Sequence, residues 1–158
     1  MDTSISYLMR ADPRVVFELA AAVEDWPRLL PHYRWVRILA DNGRGERIVE
    51  MAARRDVCLG LSVPLRWTAR QKIITNRIEF VHIAGITRGM EVAWTWTAAA
   101  DDAIEVRIRH VFTPRWPVPD LVIRLVVGEY FVNGVAGRTL RRLAQLAEVP
   151  ATLHTPST

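Results

Sequence analysis

The feature that most constrains the fold is the long segment from Val118 to Glu148, because residues 120–149 contain no proline. The second half of the segment carries polar residues at helical spacing, namely Arg138, Arg141, Arg142 and Gln145. At about 100° per residue the opposite side is apolar, and it contains Val122, Leu125, Val132, Ala136, Leu140 and Leu143. The pattern predicts an amphipathic helix of roughly 30 residues and about 45 Å. Such a helix needs a broad apolar partner to cover it.

Strand patterns fill most of the chain before this helix. Residues of alternating polarity, bounded by Gly, Asn, Asp or Pro, are typical of antiparallel strands. The predicted strands are Thr3–Arg10, Tyr33–Ala40, Glu46–Val57, Ser62–Ile73, Arg77–Ile83, Glu91–Ala99 and Ile104–Thr113. Turns are predicted at 41–45 and at Asn76, since Gly and Asn tolerate positive φ.

Two short helices are predicted after the first strand. Asp12 and Pro13 form a helix start, with the aspartate as N-cap and the proline at the first helical position. This helix extends from Arg14 to about Val23. A second one begins at Asp25-Trp26-Pro27 and ends at Pro31.

These elements predict an α+β fold in a single domain, residues 1–150, followed by a flexible tail, residues 151–158. A curved antiparallel sheet of about seven strands would wrap around the long C-terminal helix. An antiparallel sheet with one apolar face needs that face covered, and the long helix is the largest element available. Curvature leaves space beside the first half of the helix, and we expect a ligand pocket there.

Composition and charge narrow the classes of function. The balance of 21 basic against 17 acidic residues gives a net charge of +4, but the arginines are scattered, whereas nucleic-acid binding favours one basic patch with interleaved aromatics. The mild positive charge suits an acidic protein partner better. Cys58 is the single cysteine, so no internal disulfide is expected. Neither a signal peptide nor a membrane span of about 18 apolar residues is found in the sequence, and we expect a cytoplasmic protein.

The segment Val23-Glu24-Asp25-Trp26-Pro27-Arg28-Leu29-Leu30-Pro31-His32-Tyr33 follows the first predicted helix. Together with the order of elements, it resembles the START-like, helix-grip superfamily and, within it, the polyketide cyclase/dehydrase (aromatase/cyclase) group. The resemblance covers Ser4 to Glu148. It implies a helix-grip fold that holds an apolar ligand between sheet and helix.

The resemblance also implies an activity. Aromatase/cyclases fold a poly-β-ketone chain in this pocket and promote aldol ring closure and loss of water. We therefore expect an enzyme that acts on an aromatic or poly-keto intermediate, delivered by an acidic acyl carrier protein. The alternative is a non-catalytic carrier of a lipid, a quinone or another hydrophobic small molecule. A ribosome-binding regulator is a third possibility, from looser relatives.

Several residues match positions of the family pocket. Tyr33 matches a pocket tyrosine, and Met90 and Trp94 match a methionine and a tryptophan of the pocket wall. Arg70, in Trp67-Thr68-Ala69-Arg70, corresponds to a catalytic arginine. The family places that arginine four residues after a tryptophan on the same strand face, but here the spacing is three, which puts the two on opposite faces unless a bulge intervenes. His110 stands where the family has acidic and glutamine residues.

Polar residues on apolar faces are the other candidates. His82, His110, Glu129 and Asn133 are predicted to face the pocket, and an aldol cyclisation needs a base and an oxyanion donor. Desolvation would raise the pKa of a buried Glu129, which suits acid/base work. The alternatives are that His110 is a hydrogen-bonded core histidine and that Glu129 pairs with an arginine at the rim.

Large aromatic residues are more numerous than packing alone requires. The predicted aromatic wall of the pocket contains Trp67, Phe80, Trp94, Trp96 and Phe112, although these could serve only as core. Stacked aromatics suit a flat ligand. The four histidines lack metal-ligand spacing, and no glycine-rich phosphate loop is found. We therefore expect neither a metal nor a cofactor.

Overall fold

The computed structural model describes residues 1–56, 62–113 and 134–148. Within these residues seven strands form one sheet, in the order β1-β7-β6-β5-β4-β3-β2, and every neighbouring pair is antiparallel. The strands are β1 (Asp2–Met9), β2 (Tyr33–Asp41), β3 (Glu46–Asp56), β4 (Ser62–Ile74), β5 (Arg77–Gly85), β6 (Glu91–Ala98) and β7 (Ile104–Val111). The helices are α1 (Pro13–Ala21), α2 (Trp26–Leu29) and α3 (Gly137–Ala147).

Local sequence signals account for the element boundaries. Asp12 caps α1 as predicted, because its carboxylate accepts a hydrogen bond of 2.8 Å from the backbone N–H of Arg14. Helix α1 ends at Ala21, and a 3₁₀ turn, Val23–Asp25, connects it to α2. The end of β5 needs a glycine, since Gly85 has φ +95° and a Cβ there would lie 2.8 Å from the carbonyl oxygen of Arg66. At Gly85, strands β4 and β5 therefore approach each other more closely than a residue with a Cβ atom would allow.

Alternation along each strand gives the sheet one buried and one exposed face. On β5 the buried residues are Ile78, Phe80 and His82, and on β7 every even-numbered position from 104 to 110 is buried. These facings agree with the sequence pattern. The buried face is concave, and helix α1, helix α2 and helix α3 cover it.

Helix α3 closes the core with the face that the sequence predicted. Leu140 and Leu143 are fully buried, whereas Arg141, Arg142 and Gln145 are exposed. One wider turn of the π type, residues 134–136, precedes the helix. The rest of the predicted long helix, residues 118–133, lies outside the described residues. The predicted α+β, helix-grip architecture with a seven-stranded antiparallel sheet is confirmed.

Candidate functional site

A cavity of about 40 Å³ lies between the concave face of the sheet, α2 and the beginning of α3. Among the described residues it is lined by Trp26, Tyr33, Met51, Trp67, Phe80, His82, Val92, Trp94, Ile108, His110, Val135, Ala136 and Thr139. Six of the residues proposed from the sequence are therefore brought together, namely Tyr33, Trp67, Phe80, His82, Trp94 and His110. The lining is apolar and aromatic, with a few polar atoms placed within it.

Trp26 is the centre of the aromatic wall. Its ring centroid lies 4.9 Å from that of Tyr33, 6.0 Å from that of Phe80 and 6.0 Å from that of Trp94. The indole N–H donates to the carbonyl oxygen of Leu19 at 3.1 Å, so the ring is fixed by α1. The sequence placed Trp26 at a helix start and in the segment that carries the family resemblance, but did not mark it as a cavity residue. Its place between two short helices that must cover the sheet was a signal that could have identified it.

His82 is held by the loop that follows β5. Its Nδ1 lies 2.7 Å from the hydroxyl of Thr87, and both residues are buried. The loop is closed by backbone bonds from Gly89 N to the His82 carbonyl oxygen and from His82 N to the Met90 carbonyl oxygen, both 2.8 Å. The imidazole also stacks on Trp67, with ring centroids 5.8 Å apart and an interplanar angle of 8°. Its orientation in the cavity wall is thus fixed from two sides.

His110 differs from His82 in its hydrogen bonding. It lies on β7 opposite Val92 of β6, and its Nδ1 is buried with no hydrogen-bond partner among the described residues. Buried polar atoms are normally paired. An unpaired ring nitrogen in a cavity wall is therefore a group that a bound molecule can satisfy.

Burial keeps both of these imidazoles neutral. It lowers the pKa of His82 to about 3, with a smaller contribution from the charge of His110, and it lowers the pKa of His110 to about 4. At neutral pH each ring has one N–H donor and one acceptor nitrogen. They are weak bases but effective hydrogen-bonding groups.

His32 and Thr139 join the start of β2 to the start of α3. The hydroxyl of Thr139 donates to the carbonyl oxygen of Val135 at 2.9 Å and lies 2.9 Å from His32 Nε2. A hydroxyl has one proton, so Nε2 of His32 must be the donor to Thr139. Burial, and then the charge of Arg138, lowers the pKa of His32 to about 4. The sequence pattern did not indicate this pair, although Thr139 falls three residues after Ala136 on the apolar side of the helix.

Three of the predicted wall residues lie close to the cavity but outside its described lining. Met90 and Phe112 are buried in the core, where the Met90 backbone positions His82. Trp96 stacks on Trp94, with ring centroids 6.3 Å apart. Their contribution to the site is structural support for the wall.

Arg70 is the residue whose predicted place requires correction. It lies on the outer face of the sheet, with its side chain 53% exposed and its Nε 3.5 Å from the carboxylate of Glu46. The register shift between β4 and β5 skips Ile83 on β5 and leaves the alternation along β4 intact. The inward positions of β4 are therefore Trp67, Ala69 and Gln71, and Arg70 does not reach the cavity.

Two other candidates, Glu129 and Asn133, lie outside the described residues, as does the single cysteine, Cys58. Within the described ranges, no group of three or more His, Cys, Asp or Glu residues is placed to hold a metal ion. The helices in the same ranges are too short or too polar to cross a membrane.

The chain matches one protein family and several solved structures. The family described as polyketide cyclase / dehydrase and lipid transport matches residues 9–136. The aromatase/cyclase Zhui from Streptomyces sp. R1128 is 19% identical, with a TM-score of 0.77 over 93% of both chains. A START superfamily protein from Mycobacterium smegmatis is 16% identical, with a TM-score of 0.70 over 92% of this chain and 98% of that one.

A further similar structure is the di-domain aromatase/cyclase BexL of the BE-7585A biosynthetic pathway. It is 19% identical, with a TM-score of 0.66 over 92% of this chain and 45% of BexL. No curated protein sequence matches the chain. At these identities the structural matches define the fold.

Proposed function

The chain belongs to the polyketide cyclase/dehydrase and lipid transport family, and on that premise we propose that its cavity binds an aromatic or poly-keto intermediate and promotes aldol cyclisation and dehydration. The observation that carries the proposal is the unpaired Nδ1 of His110 in a cavity lined mainly by aromatic and aliphatic side chains. Aromatic walls favour flat or unsaturated ligands. The imidazole would pair with an oxygen of such a ligand.

The reaction consists of proton transfers and one carbon–carbon bond. A base removes a proton from the carbon beside a carbonyl group, and the electron pair moves onto the carbonyl oxygen as an enolate. The enolate carbon bonds to a second carbonyl carbon, whose oxygen takes up a proton. Loss of that hydroxyl with a neighbouring proton releases water. The chain must stabilise the enolate oxygen and supply the base.

The neutral imidazoles fit the first of these roles. A ring N–H of His110, or the hydroxyl of Tyr33, would donate to the enolate oxygen in a site with little water. With pKa values of about 4 and about 3, His110 and His82 are too weakly basic to take the proton efficiently near neutral pH. We therefore propose Glu129 as the base and Asn133 as a second polar contact, both from the helical sequence pattern.

The cavity is smaller than the ligand that we propose for it. A volume of about 40 Å³ holds a few water molecules, whereas sites for drug-sized ligands have about 300–1,000 Å³. A bound ring system therefore requires the cavity to widen. We expect Trp26 and Trp67 to change position when a ligand binds.

A non-catalytic carrier of a lipid, a quinone or another hydrophobic molecule is the second candidate. It is favoured by the weak basicity of the two cavity histidines and by the outward position of Arg70. In this function, His110 would fix the polar end of the ligand, and the aromatic wall would hold the apolar part. No proton transfer is needed.

The acidic acyl carrier protein is a proposed partner of the first function. A net charge of +4 would steer an acidic partner towards the chain. We expect complex formation to weaken as ionic strength increases, because such steering is screened within about 10 Å at 0.1 M salt. The cytoplasmic location inferred from the sequence remains a prediction.

Turnover of a poly-β-keto thioester tests the proposed function. We expect His110→Gln to lower turnover by about 100-fold, the loss that follows removal of one oxyanion donor, and Tyr33→Phe to lower it less. Arg77→Ala is the matched control, because Arg77 is on the outer face and pairs with Glu79 at 2.7 Å. The aromatic product is measured by absorbance and mass spectrometry.

Native mass spectrometry of the purified wild-type chain separates the two candidates. A co-purifying lipid or quinone, with no product from the thioester, supports the carrier. Formation of product by the wild type and its loss in His110→Gln support the cyclase. Equal turnover in the wild type and in His110→Gln would exclude the proposed role of His110.

A further inference from the structure

A second concavity, of about 240 Å³, lies beside Trp96, between α1 and the turn that joins β4 to β5. We propose that this cleft is a separate binding site for a planar, uncharged aromatic molecule that carries a hydroxyl or carbonyl oxygen. It does not depend on the function of the central cavity. Its walls are formed by Phe17 of α1, Trp96 of β6 and polar side chains at the rim.

The aromatic floor of the cleft fixes the shape of the ligand. The ring centroids of Phe17 and Trp96 are 5.1 Å apart, with an interplanar angle of 59°. Trp96 also stacks on Trp94, at an interplanar angle of 27°. Trp94 lines the central cavity, whereas Trp96 lines the cleft. A flat ring placed against Phe17 and Trp96 extends this stack at the surface.

The indole nitrogen of Trp96 requires an acceptor. Its Nε1 is buried and has no hydrogen-bond partner among the described residues, whereas the corresponding nitrogen of Trp26 donates to the Leu19 carbonyl oxygen. Buried indole N–H groups usually find a partner. When the indole ring turns its N–H towards the cleft, a ligand with an oxygen at the edge of its ring system supplies this acceptor, which a pure hydrocarbon cannot do.

The rim of the cleft determines the charge of the ligand. Arg14 and Asn76 offer donors, and Glu18 offers an acceptor. Opposite charges at one rim disfavour a ligand with a net charge of either sign. A hydroxyl group, which both donates and accepts, satisfies the rim and the indole together, and a phenol is the simplest such ligand.

Titration of the ¹⁵N-labelled wild-type chain with 2-naphthol, followed by NMR, tests the site. The indole N–H signal of Trp96 is assigned by its absence from the spectrum of Trp96→Phe. We expect this signal to move downfield on binding, together with the backbone amide of Asn76. Absence of any shift at saturating 2-naphthol overturns the proposal, as do shifts confined to the indole signals of Trp26, Trp67 and Trp94, which report the central cavity.

Calorimetric Kd values for 2-naphthol and naphthalene test the role of the Trp96 indole N–H separately from that of its ring. Trp96→Phe keeps an aromatic ring and removes the N–H, so the Kd for 2-naphthol should rise about five-fold, the effect of one hydrogen bond. The Kd for naphthalene, which has no oxygen, should stay unchanged. Trp35→Phe, on the outer face of β2, is the matched control and should leave both values unchanged. Equal weakening of both ligands by Trp96→Phe would show that the ring alone matters and would overturn the role of the indole N–H.

Discussion

Tryptophan side chains lie on both faces of the sheet, but the groups that contact them are neutral on one face and charged on the other. On the concave face Trp67 is 4% exposed and stacks on the neutral imidazole of His82. On the convex face Trp35 lies under two guanidinium groups, that of Arg37 at 4.9 Å from the ring centroid and that of Arg66 at 5.8 Å. The same residue type is therefore part of a cavity wall on one face and part of a cationic surface on the other.

The difference comes from solvent. Charged groups on the convex face retain water or an ion-pair partner, as when Arg66 Nε donates to Glu50 at 2.7 Å. On the concave face burial removes the histidine side chains from bulk solvent, and this desolvation lowers the pKa of each buried histidine. The two cavity histidines therefore persist in neutral form, which suits a site that recognises uncharged ligand oxygens.

Acid should lower the free energy of unfolding through the buried histidines of the concave side, and this is the largest expected effect. His32, His82 and His110 have folded-state pKa values of about 4, 3 and 4, against about 6.5 in the unfolded chain. Below pH 6.5 the unfolded state binds more protons, so stability falls as the pH decreases from about 6.5 towards 4. Each histidine contributes about 1.4 kcal/mol per pH unit in that window, and the three together about 4.

Urea unfolding at a series of pH values measures this slope. His110→Gln should reduce the slope by about a third, because one titrating group of the three is removed. On the outer face, the hydrogen bond and charge of Arg109 lower the pKa of Asp2 further below its ordinary value of 3.8, so this carboxylate does not titrate within the window. A free energy of unfolding that is constant from pH 7 to pH 4.5 would contradict the neutral, buried state of the histidines.

Removal of one tryptophan from each face of the sheet compares how much side-chain packing on the two faces contributes to stability. Trp26→Ala should lower the free energy of unfolding by about 3–5 kcal/mol, because the ring is buried and packs on Tyr33, Phe80 and Trp94. Trp35→Ala should cost about 1–2 kcal/mol, since it loses mainly two cation–π contacts at the surface. Chemical denaturation gives both values, and equal losses would show that the two faces do not differ in packing.

The hydrogen bond between His32 and Thr139 gives a smaller effect. Thr139→Val keeps the shape of the side chain but leaves the buried Nε2–H of His32 without its acceptor, so we expect a loss of about 1–2 kcal/mol. Thr139→Ser preserves the hydroxyl and should retain most of the stability. Thermal unfolding distinguishes the two variants. Identical melting temperatures would indicate that the hydroxyl does not hold His32.

Arg70→Ala should have the smallest effect. The side chain is about half exposed, and its ion pair with Glu46 is at the surface, so the expected loss of stability is at most about 0.5 kcal/mol. Ligand affinity and turnover should equal those of the wild type, because the guanidinium is on the other side of the sheet from the cavity. A loss of turnover at unchanged stability would restore Arg70 as a functional residue.

The comparison of Arg70 with His110 shows how far sequence patterns predict a site. Alternation along β7 placed His110 inward, and alternation along β4 placed Arg70 outward; both facings are observed. The match of Arg70 to a family motif pointed the other way, and it failed because strand facing depends on an even or odd spacing. A motif that is shifted by one residue keeps its residue types but changes their face.

The sequence by itself determined the strands, their buried faces, the cap of α1 and the inward side chains of α3, because these depend on residues a few positions apart. Only the tertiary structure decided which of them meet. His32 and Thr139 are 107 positions apart, and Trp26 reaches the centre of the wall because two short helices fold over the sheet. The pKa values of the histidines were equally undetermined by sequence, since desolvation is the sum of contacts from every element packed around a ring.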